Sequence, residues 1–163
     1  MKTKLTLFVA VLAAGLFGMG CASVPKGPPV PHAVKWNGHW YAVFPGSLLW
    51  RPAKATAEEL GGHLVNIESA QENEFVLSLI RDKKPHKKEG WWTGGNCIDE
   101  HGVWRWLGEN GATKGPLLRY LNWTDGDPLD PQAQADFKHF MIRPDGEWNV
   151  QGVLRSGYIV EWE

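Results

Sequence analysis

The order of segments predicts an α+β domain, with one β-rich strand, two helices and then a run of short strands and glycine turns. Two observations support this reading. Ten of the 163 residues are tryptophan, and each ring can bury roughly 200 Å², so these rings are expected to dominate one core. Apolar residues make up 43% and charged residues 21% of the chain, the balance of a globular protein rather than a disordered one.

His39 to Phe44 alternates and is rich in β-formers, which predicts the first strand, ended by Pro45-Gly46. Trp50 to Leu60 reads as a helix. Pro52 lies in its first turn, Ala53, Ala57 and Leu60 share one face, and Gly61-Gly62 stops it. Leu64 to Ile67 is a short extended link. Ser69-Ala-Gln-Glu72 has the form of a capping box, followed by the apolar stripe Phe75, Val76, Leu79, Ile80, with an end near Arg81 to Lys84 before Pro85. Beyond it, Trp91 to Gly95, Val103 to Leu107, Phe137 to Ile142, Glu147 to Val150 and Ser156 to Trp162 are strand candidates. Gly102, Gly108, Gly111, Gly126 and Asp145-Gly146 separate them.

Residues 1–21 read as a targeting segment. Lys2 and Lys4 precede an uncharged apolar stretch from Leu5 to Met19, long enough for a signal peptide and short for a membrane span. Gly18-Met19-Gly20-Cys21 resembles a bacterial lipoprotein box, which implies lipidation at Cys21, and cleavage after Ala22 by the ordinary signal peptidase is the alternative. Residues 22–35 then form a tether, since the prolines of Val24 to Pro31 favour an extended spacer. Residues 36–163 are the domain. The expected location is therefore exported and lipid-anchored, in a bacterial outer membrane or cell envelope.

A formal net charge of −1 and the absence of a basic stripe argue against nucleic acid. The run from Arg81 to Lys88 reads as a solvated loop. Cys97 is the one cysteine left in the domain, so no internal disulfide is expected and the thiol reads as a small buried hydrophobe. The histidines show no paired zinc spacing, and His63 reads as structural. No nucleophile elbow, phosphate loop or carboxylate dyad is evident, so an enzyme is not expected.

The ordered segments Trp50…Ala53…Gly61-Gly62-His63-Leu64, Trp92-Thr-Gly-Gly95, Trp104-Arg-Trp106, Asn122-Trp123…Gly126-Asp127-Pro128, Trp148-Asn149 and Gly157 to Glu161 together resemble the C-type lectin-like domain. The resemblance runs from about Trp36 to Glu163. It implies two helices packed on small antiparallel sheets, with a long loop region. It places Ala57, Phe137, Val153 and Val160 where the family carries cysteines, which implies packing in place of both disulfides. It also implies that Pro128 sits at a position often cis.

Family members that bind sugar do so through a calcium ion, which takes about six to eight oxygen ligands. Here the resemblance puts Leu129, Ala135 and Val150 at ligand positions and leaves Asp127 and Asn149. No cofactor is therefore expected, with calcium the remote alternative. Asp127, Asp136 and Asn149 are the metal candidates. Asp125 and Asp130 could join Asp127 and Asp136 in another cation cluster, or serve as turn residues.

The expected function is a non-enzymatic ligand-binding module, with Tyr120, Trp123, Asp125, Asp127, Asp130 and Asn149 as candidate contacts. Its expected partners are a glycan or an envelope or extracellular protein, and a membrane through the lipid anchor. The competing reading of Trp123 and Tyr120 is core packing. The alternative is a protein-docking envelope scaffold that uses Leu117, Leu118 and Leu121.

Overall fold

The computed structural model describes residues 28–83, 90–128, 137–151 and 156–163. The elements, in chain order, are β1 (Val34–Trp36), β2 (His39–Leu48), α1 (Trp50–Glu59), β3 (His63–Leu64), α2 (Ala70–Ile80), β4 (Trp91–Asn96), a 3-10 turn (Glu109–Gly111), β5 (His139–Ile142), β6 (Trp148–Gln151) and β7 (Ser156–Trp162). The predicted α+β order holds. The strands form one mixed sheet in the order β1-β2-β7-β4-β5-β6, with β3 also on β7, rather than separate antiparallel sheets. The exception is β4, which pairs β7 in parallel. The long path between these two strands permits a parallel pair that a tight hairpin could not make.

Both faces of the sheet are buried, and the period of two in the strands assigns side chains to them. On one face Tyr41, Val43, Phe140, Ile142 and Ile159 meet Val76, Leu77 and Ile80 of α2 and the rings of Trp91, Trp106 and Trp148. On the other, Ala42, Met141, Tyr158, Val160 and Trp162 meet Trp50, Ala53 and Ala57 of α1 and Trp92. Ala57 and Val160, both at family cysteine positions, are buried in the same cluster. Phe137 is 37% exposed, so it does not fill the other bridge's place, and Val153 lies outside the described residues.

Several local readings shift. β1 begins at Val34, and Val30 and Ala33 pack on the α1 side of the core. β2 runs through Pro45-Gly46 to Leu48, because its register with β7 shifts between Phe44 and Leu48 and Pro45 need not donate a ladder bond. Leu60 is the C-cap of α1 and exposed, not part of its buried face. Gly62 N–H donates to Ala57 C=O at 3.0 Å and Gly61 N–H to Glu58 C=O at 2.9 Å, a Schellman end made possible by Gly61 at φ 77°. Val103 to Leu107 is no strand. Only Arg105 bridges, to Asn96 and Leu117. Trp106 N–H reaches the Pro116 carbonyl at 3.0 Å, and proline has no N–H to return.

The paired strands β4 and β5 pack closely at Gly95, where an added Cβ would lie 1.7 Å from the Phe140 ring. Gly95→Ala is expected to lower stability by about 3 kcal/mol, measured as the urea midpoint at unchanged m-value. Among the described residues no helix is long and apolar enough to cross a membrane.

Candidate functional site

The long loop is fastened to β6 through main chain. Trp148 N–H donates to Asn122 C=O at 2.7 Å, and Thr124 N–H to Trp148 C=O at 2.9 Å. The Trp148 ring is fully buried and donates Nε1–H to Asn73 Oδ1 of α2 at 2.8 Å. Asn73 and Asn122 both donate side-chain N–H groups to the Gly146 carbonyl, at 3.0 and 2.8 Å. Helix, strand and loop therefore meet at Trp148.

Beyond this clamp, Thr124 to Asp127 makes a tight turn. Asp127 N–H donates to Thr124 C=O at 3.0 Å, with Gly126 at φ 86°. The carboxylate of Asp127 does not close its own turn, as the sequence suggested. Its Oδ2 reaches across to β6, accepting from Asn149 Nδ2 at 2.5 Å and Val150 N–H at 3.2 Å. The Asp127–Pro128 peptide is cis. Arg143 donates to Thr124 Oγ1 at 3.2 Å and pairs with Asp145 at 2.9 Å.

The structure thus brings Asp127 and Asn149 together and bonds them to each other. Asp125 is exposed at the turn. Asp130 and Asp136 lie outside the described residues, as do Leu129, Ala135 and Cys21. Among the described residues no group of three or more His, Cys, Asp or Glu side chains could hold a metal. Val150 is buried and apolar, and Leu129 and Ala135 carry no side-chain oxygen. One carboxylate already bonded to two N–H donors, plus one amide, falls well short of a calcium cage. The residues present do not fit the family's calcium site. Asp127→Ala would leave the Asn149 amide and Val150 N–H without this acceptor. It is expected to destabilise the domain by about 2 kcal/mol, equally in calcium and in EDTA, as read by thermal unfolding.

The aromatic candidates are half-buried. Trp123 packs edge-on to Phe140 and Trp148, at 4.8 and 5.6 Å, and lies 5.4 Å from Trp104. Tyr120 meets the Trp148 ring edge-on at 5.4 Å. Each packs against the core and stays partly exposed. Trp123 directly precedes the turn, and the Tyr120 hydroxyl lies within electrostatic reach of Glu74 of α2. Leu117 and Leu121 are 54% and 55% exposed, whereas Leu118 packs against the core.

The histidines are less ordinary than their spacing suggested. His39 Nδ1 lies 2.7 Å from Glu161 Oε1; that contact holds its pKa above the usual imidazole value, outweighing burial. His139 stacks on Trp50 at 4.2 Å, and both its ring nitrogens are buried without a hydrogen-bond partner. Burial first, then Arg51 and Lys138, lowers its pKa to about 4. Spacing in sequence could not reveal either, since both depend on contacts made across the sheet. His63 Nδ1 sits 2.9 Å from the Leu64 carbonyl oxygen, a local structural contact. Cys97 is a buried free cysteine, its thiol pKa raised chiefly by burial.

Residues 47–160 match the Lectin C-type domain family. The chain is 30% identical over 161 residues to a perlucin-like protein of Mytilus galloprovincialis, across 96% of this chain and 98% of that protein. It is 28% identical to an alpha-N-acetylgalactosamine-specific lectin of Patiria pectinifera, over 89% of each. Among solved structures, human lithostathine superposes with a TM-score of 0.71 at 16% identity, over 89% of this chain and 99% of that one. The C-type lectin CEL-I of Cucumaria echinata gives 0.69 at 19%, over 81% and 95%. With the family match spanning most of the domain and the fold agreeing, the chain belongs to the C-type lectin domain family.

Proposed function

We propose that this domain is a non-enzymatic carbohydrate-binding module whose ligand meets the part-exposed rings of Trp123 and Tyr120 and the polar Thr124–Asp127 turn, without a calcium ion. The carrying observation is the pair of hydrogen bonds that the Asn149 side-chain amide and Val150 N–H donate to Asp127. This pair uses the remaining family ligand residues to fasten the loop. Part-exposed aromatic rings next to polar turn groups suit a sugar, whose apolar C–H face packs on a ring face and whose rim is hydroxylated. The lectin names of relatives support the glycan class. A glycan array probed with the processed full chain tests this. Glycan signals of equal strength in calcium and in EDTA are expected, while signals present only with calcium would overturn the metal-free mode.

Export and anchorage rest on the targeting segment alone; the relatives named above are animal proteins. In this reading Cys21 becomes the acylated N-terminus and residues 22–29, ahead of the core contact at Val30, space the domain from an outer membrane or envelope. Mass spectrometry of the mature N-terminal peptide checks it: a diacylglyceryl-modified Cys21 is expected, and an unmodified terminus at Ser23 would overturn it.

A second reading, a protein-docking scaffold, draws on the exposed Leu117 and Leu121. An array without glycan signal in either buffer, together with recovery of one envelope partner that Leu117→Ser releases, would favour it.

A further inference from the structure

The polar network under the sheet's β1–β2 end is short of hydrogens unless it carries an extra proton. Tyr41 Oη lies 2.7 Å from Glu72 Oε1 and 3.2 Å from Glu161 Oε1. Both carboxyl groups belong to buried residues, 7% and 4% exposed. A tyrosine hydroxyl has one hydrogen and cannot supply two carboxylates. Two buried carboxylates against one hydroxyl also repel each other, and a proton on one of them is the ordinary relief.

The remaining contacts say which one. Glu161 faces the His39 ring through Oε1 and accepts Asn66 N–H through Oε2 at 3.1 Å. Among the described residues Glu72 makes no salt bridge; its Oε2 accepts Glu68 N–H at 2.8 Å. That bond replaces the reciprocal half of the predicted capping box, of which only the Ser69 hydroxyl to Glu72 N–H contact forms, at 3.1 Å. With the proton on Glu72 Oε1, each contact has one hydrogen: Glu72 donates to Tyr41, Tyr41 donates to Glu161, and His39 donates to Glu161. Burial acts in the same direction, raising the Glu72 pKa, opposed by its hydrogen bonds from Glu68 and Tyr41.

The network continues to the long loop. Asn66, held at its backbone by Glu161, donates its side-chain amide to the Leu107 carbonyl at 2.9 Å. We propose that a proton held between Glu72 and Tyr41 completes this network, and that its removal as pH rises slackens the Asn66 strap that fixes the root of the long loop. Once Glu72 ionises, Tyr41 turns its one hydrogen to the nearer carboxylate. Glu161 then faces Glu72 with no hydrogen between them.

The titratable groups around the pair are His39 and Tyr41 from β2, Glu68 ahead of α2, Glu161 from β7 and Glu163 beyond it. Protons have a path to the network, since His39, Asn66, Glu68 and Glu161 line an open cleft of about 1000 Å³. Glu72 and His39 both have raised folded pKa values. Their stabilisation is present at low pH and is lost as pH rises through those values.

Infrared spectroscopy and hydrogen exchange on the full chain, followed from acidic to alkaline pH, test the proposal. The wild type should show the carbonyl stretch of a buried carboxylic acid. It should disappear on raising the pH, in step with a several-fold fall in protection of the Asn66 amide. Glu72→Gln, which keeps a donor toward Tyr41, should lack the acid band and hold Asn66 protection constant. The wild-type titration alone decides the matter if that variant does not fold. No acid band, a band that survives in Glu72→Gln, or Asn66 protection independent of pH would overturn the proposal. So would calcium-dependent stabilisation abolished by Glu72→Gln, which would put a cation where the proton is assigned.

Discussion

Trp148→Ala is expected to lower the free energy of unfolding by about 4 kcal/mol, within the usual range for removing a buried tryptophan. The ring is fully buried. It stacks on Phe140 at 5.0 Å and meets Trp106, Tyr120 and Trp123 edge-on at 5.4, 5.4 and 5.6 Å. Its removal leaves a cavity among four rings and takes the Nε1–H donor from buried Asn73. The loop from Asn122 to Asp127 is bonded to the main chain on both sides of this ring, so its amides should lose protection before the rest of the sheet. Urea unfolding gives the total, and a loss under about 1 kcal/mol would show that Trp148 does not join helix, strand and loop.

Acid should destabilise the domain through His139, by up to about 3 kcal/mol for a pKa lowered to about 4. In the unfolded chain this imidazole takes a proton near its ordinary value of 6.5. In the folded state it resists until about 4. Stability is therefore unaffected above that ordinary value, falls as pH drops through the window between the two, and levels below it. His139→Phe keeps a ring against Trp50 and removes the titration. The unfolding free energy of the wild type, followed from neutral pH downward, should fall relative to that of the variant across this window. A difference independent of pH would place His139 in contact with water or a partner. Glu72 and His39 titrate in wild type and variant alike, so the comparison isolates His139.

The tryptophan and glycine series made most of the fold legible because those residues act locally or through sheer size. Gly61 ends α1 by its own backbone, and the alternation in β2, β5 and β7 assigns both faces of the sheet without reference to a partner. What stayed hidden depends on residues far apart in sequence. Glu72 looked like half of a capping box, yet its carboxyl group meets Tyr41 across the core. His39 and Glu161 stand at opposite ends of the domain and touch only because β2 pairs β7. At the loop, the residue types showed that Asp127 and Asn149 remained from a ligand set. The sequence could not show that they bond to each other, since this follows from the Thr124–Asp127 turn lying against β6. From its neighbours alone Asp127 reads as a local turn residue, for the same reason.

Thermal unfolding of the full chain in calcium and in EDTA tests most directly whether the loop is held by its own bonds rather than by an ion. Superimposable transitions are predicted for the wild type, with Asp127→Ala lowered by the same amount in both buffers. A higher transition in calcium that Asn149→Ala or Asp127→Ala abolishes would contradict the account.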